Sequence, residues 1–143
     1  MASTDRLYFR QLLSGRDFAA GDVIAQQMRN FAYLIGDRET GQAVMVDPAY
    51  AAGDLVDTLE ADGMTLSGVL VTHHHPDHVG GSMMGFTLKG LAELLERVSV
   101  PVHVNTHEAQ WVSRVTGIPM SDLTSHDHGD KVGVGAIDIE LLH

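Results

Sequence analysis

Cysteine is absent from the 143 residues, which excludes disulfides, thiolate metal sites and a cysteine nucleophile at once. Any bound metal ion must therefore be held by histidine, aspartate or glutamate. Basic residues are scarce as well: nine Lys and Arg stand against 19 Asp and Glu, for a formal charge of −10, and they are scattered singly. Without a basic cluster nothing can track a phosphate backbone, so nucleic acid is not expected as a partner. No apolar run approaches the ~18 residues needed to cross a bilayer, and a membrane is not expected either. The opening Met1–Arg6 carries charge with no apolar stretch or small-residue cleavage site behind it; no signal peptide is read, and a cytoplasmic location is expected. No Pro/Gly/Ser-rich linker, low-complexity tract or internal repeat divides the chain, so one domain over 1–143 is expected.

What the chain has in excess is histidine. Nine occur, and four of them fall within the six residues His73–His78. Around that cluster the pattern alternates between strands and helices. Leu7–Leu13 reads as a strand, followed by an irregular Gly15–Gly21. Asn30–Gly36 and Ala43–Val46 read as a hairpin, ended by Asp47-Pro48. Asp54–Ala61 is helical with Leu55, Val56 and Leu59 on one face, and Gly68–Val71 is a short apolar strand covered on both faces. Gly90–Val98 is a second amphipathic helix and Val100–Val104 a strand. Asn105 with Glu108 resembles a capping pair opening a helix to Val115. Lys131–Val134 and Ile137–Leu142 read as a final antiparallel pair. The class is α/β.

The chemistry sits in Val69-Leu70-Val71-Thr72-His73-His74-His75-Pro76-Asp77-His78-Val79-Gly80-Gly81. A buried strand feeds directly into a loop of potential ligands, the place where ligands of α/β enzymes gather. His73 and His75, two apart, point to one side of extended backbone, and His74 points away. Pro76 stiffens the turn, Asp77 and His78 project from the tighter chain after it, and Gly80-Gly81 permits close backbone approach. Neutral imidazoles with a carboxylate suit Zn²⁺, Fe²⁺ or Mn²⁺. Two imidazoles on one side and a carboxylate plus imidazole on the other suit two ions about 3.5–4 Å apart. The interleaved Asp77 and the preceding buried strand argue against a run of surface histidines.

The other histidines read more plainly. His126 and His128, with Asp127 and Asp130, belong to a solvated polar loop. His103 is a satisfied histidine of a β run, and His107 is a surface residue in a first helical turn. Trp111 packs a helix face, and Met83-Met84 either fills a gap or lines a pocket.

Thr72-His73-His74-His75-Pro76-Asp77-His78-Val79-Gly80-Gly81 resembles the first metal motif of the metallo-β-lactamase superfamily, in the form of the glyoxalase II-like thioester hydrolases. Asn30–Ile35 resembles the family's opening strand, Val46-Asp47-Pro48 its Asp-Pro turn, and Gly129–Gly135 the strand pair before its next metal motif. The resemblance implies an αββα sandwich, α/β (α+β) in class, of which this chain carries the N-terminal half. It implies a metal-dependent hydrolase of a small-molecule thioester or related ester, acting through a metal-bound hydroxide. His73 and His75 would hold the first of two zinc ions and Asp77 and His78 the second, with iron or manganese as substitutes. Asp77 would also be catalytic by orienting the nucleophile, and Asp47 would stand behind a ligand histidine to hold its tautomer.

A mononuclear iron persulfide dioxygenase shares the fold and the cluster, and is the second enzyme reading. The third is a truncated, non-catalytic metal-binding or interaction module. His143 matches the first histidine of the family's His-Thr-Pro-Gly-His segment, not the ligand four residues later. The domain is accordingly expected to be truncated at its C-terminus, with the third ligand of each ion outside the sequence. One sheet face is then expected to be bare, filled either by further chain or by a second copy in a homo-oligomer.

Overall fold

The computed structural model describes residues 6–83 and 86–142. In chain order the elements are β1 (Leu7–Leu13), α1 (Val23–Met28), β2 (Phe31–Asp37), β3 (Gln42–Val46), α2 (Ala52–Ala61), β4 (Thr65–Val71), α3 (Pro76–Val79), β5 (Gly81–Met83), β6 (Phe86–Leu88), α4 (Leu91–Arg97), β7 (Val102–Asn105), α5 (Ala109–Thr116), β8 (Leu123–His126), β9 (Lys131–Val134) and β10 (Ile137–Glu140). The side chains of Met83 and Met84 lie outside what is described.

Six strands form one sheet in the order β1-β2-β3-β4-β7-β8. β1, β2 and β3 are antiparallel neighbours, and β3, β4, β7 and β8 run parallel. Helical crossovers are what parallel neighbours require, and α2, α4 and α5 supply them. Side chains alternate across β3 and β4: Ala43, Met45, Val69 and Val71 join the cluster under the helices, while Val44, Val46 and Leu70 face the other way. Both faces are buried, which is why these strands read as continuous apolar runs. α2 turns Leu55, Val56 and Leu59 into the helical side, and α4 adds Leu91 and Leu94. Each such residue fully buried stabilises the fold by about 1.5–3 kcal/mol.

The opposite face is covered at its centre by the β9–β10 hairpin, whose Val132 and Val134 pack on Val44, Val46 and Leu70. Asp37 ties this hairpin down. Its carboxylate accepts the Ala136 N–H at 2.9 Å and the Arg6 guanidinium at 2.8 Å, and Arg6 holds the carboxyl well below the usual range. Towards β1 the same face stays open. Phe9 and Phe31 are 53% and 41% exposed and flank the Tyr33 ring. The bare face expected from the sequence is therefore seen at the β1 end of the sheet, while its centre is covered.

Three local readings differ. α1 has six residues and a single buried one, Ala25, so it carries no periodic apolar face to detect; the Asp22 side chain caps it. β8 occupies what reads as polar loop, because an edge strand with only Leu123 buried needs no apolar alternation. The third difference concerns the Asn105–Glu108 pair. Asn105 Oδ1 does accept the His107 N–H at 2.8 Å, but the Glu108 side chain is engaged elsewhere and α5 begins at Ala109.

Candidate metal centre

The parallel strands end together at Val46, Val71, Asn105 and His126, and the histidine cluster grows from the central one, β4. After Val71 the chain leaves the sheet, is extended at His75 and then turns once as α3, with Pro76 at its start. Val79 is fully buried and anchors the turn in the core. Gly80 (φ 85°) and Gly81 (φ 114°) end it in backbone that favours glycine, and any side chain at Gly81 would strike the carbonyl of Val115. The loop is thus held rigid from beneath while its histidines face outward.

The rings of His73, His75 and His78 converge. His73 lies 4.6 Å from His75 and 4.2 Å from His78, centroid to centroid. Asp77 Oδ2 stands 3.8 Å from His78 Nε2. Ligating atoms of Asp47, His73 and His78 fall within 4.8 Å of one another, the one group of three His, Asp or Glu so close among the described residues. Asp77 and His75 lie beside this group rather than inside it.

Asp47 organises the group from below. It is 6% exposed and holds φ at 55° although it is neither glycine nor free of the proline that follows, a strained conformation of the kind that surrounding structure must impose. Its Oδ1 accepts the Thr72 N–H at 2.8 Å, and its Oδ2 accepts the Thr72 hydroxyl at 2.5 Å and His78 Nδ1 at 3.0 Å. An ionised carboxylate only accepts, so His78 carries its proton on Nδ1 and leaves the Nε2 lone pair free. The Thr72 hydroxyl, having given its single proton to Asp47, must accept from His73 Nδ1 at 2.8 Å. His73 Nε2 is then free as well. One carboxylate sets two tautomers, one directly and one through Thr72.

The electrostatics treat the two rings differently. Burial, then the neighbouring His78, lowers the His73 pKa, keeping it neutral as a ligand must be. The hydrogen bond to Asp47 raises that of His78.

His74 meets the His75 ring edge-on at 5.2 Å and is held on its other side by Glu108 and Trp111. Its N–H and its Nδ1 both meet Glu108 Oε1, at 2.9 and 2.8 Å, and its ring lies 5.9 Å from Trp111. Burial works against the Glu108 carboxylate, but the His74 hydrogen bonds outweigh it and hold its pKa below the ordinary range. Trp111, 39% exposed, also stacks under Arg114. Thr72, Asn30 and Glu108 are site residues that sequence reasoning missed. Thr72 stood inside the motif, Glu108 looked like a cap, and Asn30 carried no signal beyond opening a strand.

His103 and His126 pair across β7 and β8, Nδ1 to Nε2 at 2.8 Å. They form no group of three with a carboxylate as tight as the one at Asp47; His107 and His128 are exposed. Alanine at His126 or His128 is therefore expected to leave metal stoichiometry unchanged. Loss of an equivalent by elemental analysis in either variant would reassign that loop.

Neutral imidazoles with free Nε2 lone pairs, next to a carboxylate, make a donor set that fits a divalent first-row ion. Residues 27–142 match the metallo-beta-lactamase superfamily. The chain belongs to that superfamily. A hydroxyacylglutathione hydrolase of Bradyrhizobium sp. (strain ORS 278) is 43% identical over 113 residues, which are 79% of this chain and 38% of that protein. Among solved structures, a metallo-beta-lactamase from Staphylococcus aureus superposes with a TM-score of 0.66 at 20% identity, over 96% of this chain and 34% of that one. ETHE1 from Myxococcus xanthus superposes at 0.63 and 25% identity, over 93% and 46%. The chain spans about two fifths of the length of the curated relative and carries the metallo-beta-lactamase α/β fold as a third to a half of these structures.

Proposed function

We propose that this chain is the part of a metal-dependent thioester hydrolase that supplies the first ligands of two divalent ions, zinc in the first instance. The observation that carries the reading is the Asp47–Thr72 arrangement, which leaves His73 and His78, with rings 4.2 Å apart, each with a free Nε2. His73 and His75 would hold one ion, and Asp77 and His78 the other. Bound there, the ions supply an acidified water and a Lewis acid for a carbonyl. The chain's own residues direct the ring protons of His73 and His78 to Nδ1 through Thr72 and Asp47, and place the Asp77 carboxylate beside His78. The relative's name supports a hydroxyacyl thioester of glutathione as substrate; water cleaves it to an acid and a thiol.

The test is hydrolysis of such a thioester by the protein with and without Zn²⁺. Asp77→Asn keeps the shape and removes the charge. Turnover is expected to fall by at least ~100-fold, the scale on which small misplacements act, with little change in Tm. Near-parental turnover in Asp77→Asn removes that residue from the mechanism. Oxygen consumption with an iron-loaded chain and a persulfide, in place of thioester cleavage, selects the dioxygenase reading instead.

A further inference from the structure

Asp77 is held by a residue that the metal reading does not use. Asn30 immediately precedes β2, 47 positions away, and its Nδ2 donates to Asp77 Oδ2 at 2.6 Å and to the Asp77 carbonyl at 3.1 Å. The backbone of Asn30 is itself tied at both polar atoms to Ser14. Ser14 N–H donates to the Asn30 carbonyl at 2.8 Å, and the Asn30 N–H donates to Ser14 Oγ at 2.9 Å. Ser14 is 1% exposed, and its hydroxyl proton goes to the Ala25 carbonyl at 2.9 Å. A buried serine whose N–H and hydroxyl are both engaged thus fixes the asparagine that reaches the carboxylate. Tyr50 adds to the enclosure. It is 4% exposed, and its hydroxyl lies against the Asn30 side chain.

We infer that Ser14 and Asn30 form a clamp that presents the Asp77 carboxylate in one orientation, with Asn30 a positioning residue for the ion that Asp77 and His78 would hold. The inference rests on the metallohydrolase reading. The Asn30 amide nitrogen reaches Asp77 twice, at the carboxylate and at the backbone carbonyl. The carboxylate cannot swing about its own bond without breaking the 2.6 Å contact, and Oδ1 remains for a ligand. α3 has only four residues, so it gives its first-turn side chain little hold of its own. Without the clamp, ligation would have to freeze a mobile side chain, which weakens binding.

The experiment is a Co²⁺ titration of the 143-residue chain, followed by visible absorption, with thermal melts in parallel. The parent, Asn30→Ala, Asp77→Asn and the double variant are compared. Asn30→Ala is expected to weaken the later Co²⁺ equivalent by about 10–100-fold, the usual cost of losing a group that orients a ligand, and to leave the first equivalent in place. In the Asp77→Asn background the same alanine is expected to change Co²⁺ affinity no further, while its effect on Tm persists. That separation distinguishes positioning from a structural role. Should alanine not fold, Asn30→Ser keeps the backbone ties and shortens the side chain out of reach. An unchanged titration in Asn30→Ala, or an equal loss with and without Asp77, overturns the clamp. A parent that takes up no Co²⁺ overturns the metallohydrolase reading itself.

Discussion

The His73→Ala/His75→Ala chain is expected to lose nearly all of the zinc that the parent retains after gel filtration, measured as equivalents by elemental analysis. The effect should be large because two of the imidazoles on the loop vanish together, including the one whose ring stands between the other two. Zinc retention equal to the parent would show that the metal sits elsewhere. The order of release with pH is a sharper form of the same test. A ligand imidazole must be neutral, and His78 has its pKa raised by Asp47 while His73 has its pKa lowered by burial. As pH falls, the raised group takes its proton first. The position shared by Asp77 and His78 should therefore empty before the one shared by His73 and His75, around the unperturbed histidine value of ~6.5. Release in the reverse order contradicts the tautomer argument. In the metal-free fold the sign is opposite. The His78–Asp47 pair contributes stability that is fully present below the unfolded histidine pKa and lost as pH rises through the folded one.

Removing Asp47 should have the largest effect on stability. Asp47→Ala leaves the Thr72 N–H, the Thr72 hydroxyl and His78 Nδ1 without their acceptor, and each unmade hydrogen bond in a partly buried site costs about 1–3 kcal/mol. Alanine also tolerates the left-handed φ of 55° less well than aspartate, whose short polar side chain bonds locally. A fall in Tm of roughly 10 °C is expected for a chain of this size. Asp47→Asn separates the two roles. It keeps the volume, but its amide brings a donor to a site that needs only acceptors, so both histidines are free to take the wrong tautomer. Metal affinity should drop by about 10–100-fold with a smaller change in Tm. A calorimetric titration that finds parental affinity in Asp47→Asn would show that the tautomers are set by something other than this carboxylate.

Both results bear on how function is divided along the chain. The loop after β4 brings the side chains that can ligate, while residues from β2 and from the turn after β3 decide how those side chains point. Glu108 does the same for His74, keeping it off the metal side. A single variant in the loop tests ligation; variants at Asn30, Asp47 or Glu108 test orientation.

The legible part of this protein was local. Leu7–Leu13, the β2–β3 hairpin, the apolar end of β4 and the β9–β10 pair follow from alternation and turn residues within a few positions. The histidine loop was legible for the same reason, since His73, His75, Asp77 and His78 lie within one short stretch and strand geometry puts the first two on one side. Asp47 was reached only through the resemblance of its Asp-Pro turn. What the tertiary structure decided was partnership over long separations. Asn30 meets Asp77 across 47 positions, Asp47 meets His78 across 31, and Glu108 meets His74 across 34. No periodicity reports such pairs, because each joins the end of one element to the end of another and depends on sheet order. β8 and α1 escaped for a related reason. An exposed edge strand and a helix with one buried residue bury too little apolar surface to write a pattern into the sequence.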